Sequence, residues 1–181
     1  GDNAAHFTII NDGPSNMELD WVNYDGQLQS PGTTVSKNGG SYGLGTYITH
    51  PFMVKNGQPL FLFRTTAPLD DNSFQAIAIG DGYVSVPTSQ DKQVKTLSGG
   101  VTSNITFFNG TGYPVRIDWI DFNGQRQSYG TINNQSSGAY TTGTLTFWGV
   151  YDTFDNCIGL YFITEAGPMT IALGKDSIAG V

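Results

Sequence analysis

Few side chains in this 181-residue chain can do acid–base or nucleophilic chemistry. It has two histidines (His6, His50), two glutamates (Glu18, Glu165) and one cysteine (Cys157). A serine–histidine–aspartate relay would have to use His6, near the start of the sequence, or His50, just ahead of Pro51. The nearest carboxylate pairs, Asp20 with Asp25 and Asp118 with Asp121, could imitate a glycosidase pair. Asp118 and Asp121 lie three apart on an expected strand, however, and such positions face opposite sides, so they read as exposed carboxylates at strand edges. Asp118, Asp121 and Asn123 before Gly124, and Asp70-Asp71-Asn72, offer oxygens without the alternating spacing and closing glutamate of a calcium loop. Calcium is the one cation worth weighing, and no other cofactor is implied. A lone cysteine excludes an intrachain disulfide and a thiolate zinc site, leaving Cys157 as a small buried hydrophobe. Gly39-Gly40 and Gly43-x-Gly45 precede neither a helix nor a lysine, which rejects a phosphate cradle. The expectation is a protein that is not an enzyme.

Recognition chemistry is better supplied. Aromatic residues make up 13% of the chain and charged residues only 13%, so amides, hydroxyls and glycine must cover the surface. With Lys+Arg 8 against Asp+Glu 15, net charge −7, the chain cannot neutralise a row of phosphates, which argues against nucleic acid and against electrostatic adsorption to anionic membranes. Trp21 and Trp119 end apolar strand faces. Each is either a core residue or one wall of a pocket in which an indole stacks on a sugar or a proline ring. Gln27 and Gln125, Gln29 and Gln127, and Ser30 and Ser128 recur beside the two tryptophans, as hairpin-tip polarity or as ligands for hydroxyls. No run approaches the roughly eighteen apolar residues of a membrane helix. Asn104-Ile-Thr106, Asn109-Gly-Thr111 and Asn134-Gln-Ser136 fit the glycosylation sequon, and the composition favours a secreted protein.

The elements that must position these residues come in two copies. Phe7–Asn11 faces Ile105–Asn109, and Asp20-Trp21-Val22-Asn23-Tyr24-Asp25-Gly26-Gln27 faces Asp118-Trp119-Ile120-Asp121-Phe122-Asn123-Gly124-Gln125, at a constant shift of 98 residues. The same shift aligns Thr33 with Thr131, Tyr42 with Tyr140 and Thr46 with Thr144, and about a third of positions 7 to 46 are identical without a gap. The polar stretch Pro87–Gln93 marks a boundary, giving repeats at 1–96 and 97–181. In the second half of each repeat, Leu60–Phe63 is answered by Leu160–Ile163 after a two-residue slip.

Within a repeat the pattern is all strand. Met17, Leu19 and Trp21, like Val115, Ile117 and Trp119, alternate with polar residues. Past each tryptophan the apolar parity switches to Val22 and Tyr24, or Ile120 and Phe122, as at a bulge or a strand end buried on both faces. Asp25-Gly26 and Asn123-Gly124 supply residues that tolerate positive φ at a tight hairpin. Further strands are predicted near 41–49, 59–65, 75–79, 83–86, 139–151, 158–164 and 169–173, with little or no helix. The fold class expected is all-β, two tandem antiparallel sandwiches.

At these residues the chain resembles the β-domain of the von Hippel-Lindau tumour suppressor family. The second repeat carries the signature as Ile105–Asn109, Trp119-Ile120-Asp121-Phe122-Asn123-Gly124, Tyr129, Tyr140 and Trp148-Gly149-Val150-Tyr151-Asp152. The resemblance implies a small β-sandwich that grips an extended hydroxyproline-containing peptide in a pocket of Trp, Tyr, Ser, His and a second Trp. It assigns Trp119, Tyr129 and Trp148 to that pocket, with Ala139 in place of the serine. In the first repeat it assigns Trp21 and Ser41, with Pro31 in place of Tyr129 and His50 at the position of Trp148. The helical region that joins an adaptor in that family has no counterpart here. Together these readings point to a non-enzymatic recognition protein for a glycan, with one site per repeat drawn from Trp21, Gln27, Ser41, Trp119, Gln125, Tyr129 and Trp148. A module for extended proline or hydroxyproline peptides is the alternative, and a cytolytic, membrane-acting toxin a third.

Overall fold

A computed structural model describes residues 4–47, 50–64 and 75–174, and the chain is almost entirely β. It divides into two compact units, Gly1–Asp81 and Gly82–Val181. Residues 82–96, placed by sequence with the first repeat, therefore belong with the second unit. Among the described residues the one helical turn is a 3-10 turn at Thr88–Gln90, inside the polar stretch read as a boundary.

The first unit holds β1 (Ala4–Asn11), β2 (Met17–Val22), β3 (Leu28–Val35), β4 (Gly40–Tyr47), β5 (Pro51–Asn56), β6 (Gln58–Arg64) and β7 (Gln75–Ile79). β1 pairs antiparallel with β4 and parallel with β7, and a second sheet runs β3-β2-β5-β6. Phe7 of the first sheet meets Phe52 of the second with ring centroids 4.9 Å apart, so the two sheets close on one core. The second unit begins with β8 (Tyr83–Ser85) and repeats the plan with β9 (Thr102–Asn109), β10 (Val115–Ile120), β11 (Arg126–Ile132), β12 (Ser136–Gly143), β13 (Phe147–Tyr151), β14 (Cys157–Ile163) and β15 (Met169–Leu173). Here β12-β9-β15 is one sheet, and β11-β10-β13-β14 the other, with β8 pairing onto β14. Ile105 and Phe107 of β9, Ile117 of β10, Trp148 and Val150 of β13 and Ile171 of β15 form a single buried cluster. Each apolar strand face therefore has a partner layer, as a sandwich requires.

Three strands were not read from sequence, namely β3, β5 and β11, and the single strand expected over 139–151 is two. β12 and β13 are separated by a turn at Thr144 and Leu145, with Leu145 at φ 63°. β3 and β11 are polar edge strands, β11 largely exposed, so they carry no apolar alternation to read. The hairpins before them are also larger than a two-residue turn. Gly26 (φ 77°) and Gly124 (φ 80°) alone take the left-handed position, after turns closed by Gly26 N–H to the Asn23 carbonyl and Gly124 N–H to the Asp121 carbonyl.

The strand ladders also revise the repeat alignment. Trp21 and Trp119 correspond at 98, but Met17 pairs with Val35 whereas Val115 pairs with Ile132, a shift of 97. Asn11 pairs with Gly40 and Asn109 with Ser136, a shift of 96. One residue is lost in the β2–β3 bulge and another in the following turn. The alignments of Thr33 with Thr131, Tyr42 with Tyr140 and Thr46 with Thr144 are therefore coincidences of composition. Structurally Thr46 answers Thr142, Leu44 answers Tyr140, His50 answers Thr146 and Phe52, not His50, answers Trp148. Phe63 answers Tyr161 rather than Ile163, because Phe52 pairs with Phe63 and Trp148 with Tyr161.

Candidate functional site

The bulge expected after each tryptophan lies just before it. Arg116 pairs with Thr131 and Asp118 with Ser128, so Tyr129 and Gly130 together oppose Ile117. An extra residue in an edge strand re-aims its side chain, and here the one re-aimed is Tyr129, whose ring reaches Trp148 at 5.1 Å. The burial of the carboxylates also differs from the sequence expectation. Asp20 and Asp118, read as exposed, are buried at 0% and 2% exposure, while Asp25 and Asp121 sit in turns. Each buried carboxylate has a cation. Lys55 binds Asp20 from across the ladder, and Arg116 grips Asp118 through three hydrogen bonds of 2.9 to 3.1 Å from two positions earlier on the same strand.

Trp119 and Trp148 stand opposite each other in the β10–β13 ladder and so share the inner face. Trp148 is fully buried, and its Nε1 donates to Thr142 Oγ1 (3.0 Å) and Thr146 Oγ1 (3.3 Å), two hydroxyls 3.1 Å apart. Trp119 is half-buried at the margin of the core. Its Nε1 donates to Thr96 Oγ1 (3.0 Å), and its ring meets Phe122 edge-on at 5.6 Å. Between them opens a groove of about 370 Å³, with Trp148 as floor, Trp119, Phe122 and Tyr129 as walls, and Ser98, Thr141, Thr142, Thr144 and Thr146 around it. Phe122 and Tyr129 are about half exposed, so their rings are available to a ligand. No aspartate, glutamate, histidine, lysine, arginine or cysteine is among the lining residues, so the groove offers stacking and hydroxyl hydrogen bonds.

The structure thus brings together Trp119, Tyr129 and Trp148 of the sequence-predicted site. Ala139 lies opposite Thr106 in the β12–β9 ladder and is not among the lining residues. Gln125 is not among them either. It borders a separate concavity of about 840 Å³ with Thr88, Asp91, Arg126, Asp155 and Asn156. The repeated glutamines owe their place to the turn. Asn23 Oδ1 accepts the N–H groups of Asp25 and Gln27, and Asp121 Oδ1 those of Asn123 and Gln125, which holds the Asp121 carboxyl below its ordinary range. With Gln127 also bound to Asp121 Oδ2 and Asp118 held by Arg116, these oxygens do not form a cation cage. No three histidine, cysteine, aspartate or glutamate side chains converge among the described residues. Asp70-Asp71-Asn72 and the His6 side chain lie outside the described part of the molecule. Cys157 is half-buried, and burial pushes its thiol up to about 12.

In the first unit Trp21 meets Tyr24 edge-on at 5.9 Å and His50 at 5.7 Å. His50 hydrogen-bonds Thr46 Oγ1 through Nδ1 (3.0 Å) and the Tyr24 hydroxyl through Nε2 (3.1 Å), which leaves it without a serine or carboxylate to relay to. Ser41 is exposed on β4 opposite Ile10, and Gln27 is exposed in its turn. Neither is drawn to Trp21. The side chain of Pro31 lies outside the described set. Sequence reading missed Thr96, Phe122, Thr142 and Thr146, although the run Thr141-Thr142-Gly143-Thr144-Leu145-Thr146 is a dense cluster of hydroxyls beside a predicted aromatic. Compared with known proteins, the chain matches no family model, and no curated protein is similar to it.

Proposed function

We propose that the second repeat is a non-catalytic recognition module whose groove holds a neutral, ring-bearing ligand, a glycan in the first instance. A single observation carries this reading: the groove combines exposed aromatic faces with hydroxyls and carries no charged side chain. A pyranose offers an apolar face to Tyr129 or Phe122 and hydroxyls to the threonines, and its neutrality costs nothing in a site without ions. The chain's net charge of −7 works against nucleic acid as the ligand. Secretion would suit such a ligand.

A second reading has its own support. The groove is bordered by Tyr129 of β11 and Thr141–Gly143 of β12, and each of those strands is the edge of its sheet. Edge strands accept an extended peptide by main-chain pairing, and a proline ring would stack where the sugar would, as the von Hippel-Lindau resemblance implies.

Tyr129→Ala and Phe122→Ala remove half-exposed rings and should leave the fold intact, unlike loss of the buried Trp148. On an array of defined glycans the intact protein should bind selectively, and the double variant should lose at least tenfold in affinity. A blank array, joined by protection of β11 or β12 amides from hydrogen exchange when proline or hydroxyproline peptides are added, would replace the glycan reading with the peptide one.

A further inference from the structure

Both indole N–H groups of the second-repeat groove are spent inside the protein. Trp119 Nε1 donates to Thr96 Oγ1 at 3.0 Å, and that hydroxyl is saturated, since it also accepts the Phe147 N–H (3.1 Å) and donates to the Ile120 carbonyl. Trp148 Nε1 donates to Thr142 Oγ1 at 3.0 Å and to Thr146 Oγ1 at 3.3 Å. The two threonine hydroxyls are 3.1 Å apart, and a further bond decides which of them donates. Thr146 Oγ1 lies 2.7 Å from the Gly143 carbonyl, which can only accept, so the single Thr146 proton goes there. Thr142 therefore donates to Thr146. A hydroxyl has one proton and two lone pairs, so Thr146 is full, whereas Thr142 has used its proton and one lone pair and keeps the other.

Thr142 is placed to use that lone pair on a ligand. It follows Tyr140 by two positions on β12 and shares the inner face with that ring, which packs on Trp148 at 5.4 Å. Thr141 takes the opposite face and donates to Asn104 Oδ1 (3.1 Å). Thr142 lines the groove and is half-buried, whereas Thr146 is 8% exposed. A ligand hydroxyl bound here would head a chain of donors running through Thr142 and Thr146 to the Gly143 carbonyl, in which each bond polarises the next. Ser98 and Tyr129, both exposed, can still turn their protons toward a ligand acceptor, so the demand for a donor is confined to the floor. The first repeat lacks the arrangement. Phe52 answers Trp148 and brings no N–H, and Thr46, in the place of Thr142, bonds His50 Nδ1 at 3.0 Å.

We propose that Thr142 Oγ1 is the specificity-determining acceptor of the groove: the ligand is read through a hydroxyl that it donates at the Trp148 floor, and a ring whose hydroxyl there is replaced by fluorine or hydrogen is refused. The inference rests on the glycan reading of the groove and narrows it to sugars with that hydroxyl unsubstituted.

The methyl glycosides of glucose, galactose and mannose, with their monodeoxy and monodeoxyfluoro derivatives, are titrated at millimolar concentration into the full 181-residue protein and followed by nuclear magnetic resonance. Fluorine can accept but not donate, so it separates the two roles of a hydroxyl. For a glycoside that binds, one position should exist at which fluorine and hydrogen each weaken binding about tenfold. Thr142→Val should weaken the parent glycoside by a similar factor and erase the difference between parent and fluoro derivative, while Thr142→Ser keeps both. Absence of binding by all three parents would remove the glycan reading and this inference with it. Binding that tolerates fluorine at every position, or a fluorine penalty that persists unchanged in Thr142→Val, would overturn the inference alone. The fluorine series is read on the wild-type protein, so it decides the matter even where the valine variant fails to fold.

Discussion

Asn11 and Asn109 show how a residue kept in both repeats can look functional and be structural. Both are fully buried. Asn109 Nδ2 donates to the carbonyls of Tyr113 (2.8 Å) and Ile132 (2.9 Å), while its Oδ1 accepts Thr111 N–H (3.0 Å) and Thr111 Oγ1–H (2.7 Å). Asn11 does the same with Ser15, Val35 and Gly13. The side chain replaces main-chain pairing where β9 ends and the chain turns into β10, so an amide is required there for its two donors and one acceptor. It also answers the sequon at Asn109: with its nitrogen buried and bonded twice, this side chain is not offered for glycosylation in the folded protein. Asn109→Ala leaves buried carbonyls and an N–H without partners and should cost roughly 3 kcal/mol, seen as a lower urea midpoint at unchanged slope. Asn104→Ala, at an exposed position on the same strand, should cost well under 1 kcal/mol in the same titration.

At the scale of elements, the repeats solve one electrostatic problem in two ways. Asp20 and Asp118 are both buried, and a buried carboxylate must be paired. In the first unit the cation is Lys55 on β5. In the second the position answering Lys55 is Tyr151, and the cation has moved to Arg116, where the first unit has Glu18. Arg116 and Arg126 then lie over the Tyr151 ring at 5.0 and 4.0 Å, Asp155 bridges both guanidiniums, and Asp91 binds Arg126 and the Tyr151 hydroxyl. Lys55→Met should destabilise because it strands the buried Asp20 carboxylate, and Lys55→Met with Asp20→Leu should recover most of that loss in the same thermal or urea titration. The carboxyls of Asp121, Asp152 and Asp155 all sit below their ordinary range, Asp155 chiefly through its bond to Arg116 and Asp152 through Asn156. A folded-state value below the unfolded one gives stability that is full above about pH 4 and drains away as pH falls further. Asp155→Asn should therefore flatten the acid limb of a stability-against-pH curve while leaving its shape above pH 6 unchanged. Much of this was legible in the residues: the repeat, the all-β class and the hairpins at Gly26 and Gly124, while the trio Trp119, Tyr129 and Trp148 was singled out through the family resemblance. The burial of Asp118 was not legible. Alternation from Val115 to Trp119 places Asp118 on the outer face, where it does lie beside Arg116, but residue type does not show that this face is covered. The polar edge strands β3 and β11 were hidden because hydrophobic period is the signal and they have none.

For the whole molecule the decisive stretch is residues 82–96, which the internal repeat does not account for and which the second unit claims. Three attachments explain why. β8 pairs with β14 through Tyr83, Val84 and Ser85, with Val84 fully buried. Asp91, buried at 8% exposure, ties the segment to Arg126 and Tyr151. Thr96 satisfies two N–H groups and a carbonyl at the margin of the groove. A unit defined by the sequence repeat alone, 97–181, would lose all three. It would expose the β14 edge, leave the Arg126 guanidinium and Tyr151 hydroxyl without Asp91, and open the groove beside Trp119. Burial of one valine is worth about 1.5 to 3 kcal/mol, and each orphaned buried polar group costs about 1 to 3 kcal/mol more, so the sum rivals the whole stability of a small domain. The fragment 82–181 should therefore unfold in a single cooperative urea transition with dispersed amide resonances, and the fragment 97–181 should be unfolded or molten under the same conditions. Equal stability of the two fragments would mean that the segment merely rests on the second unit, and that the seven-strand repeat is by itself the folding unit.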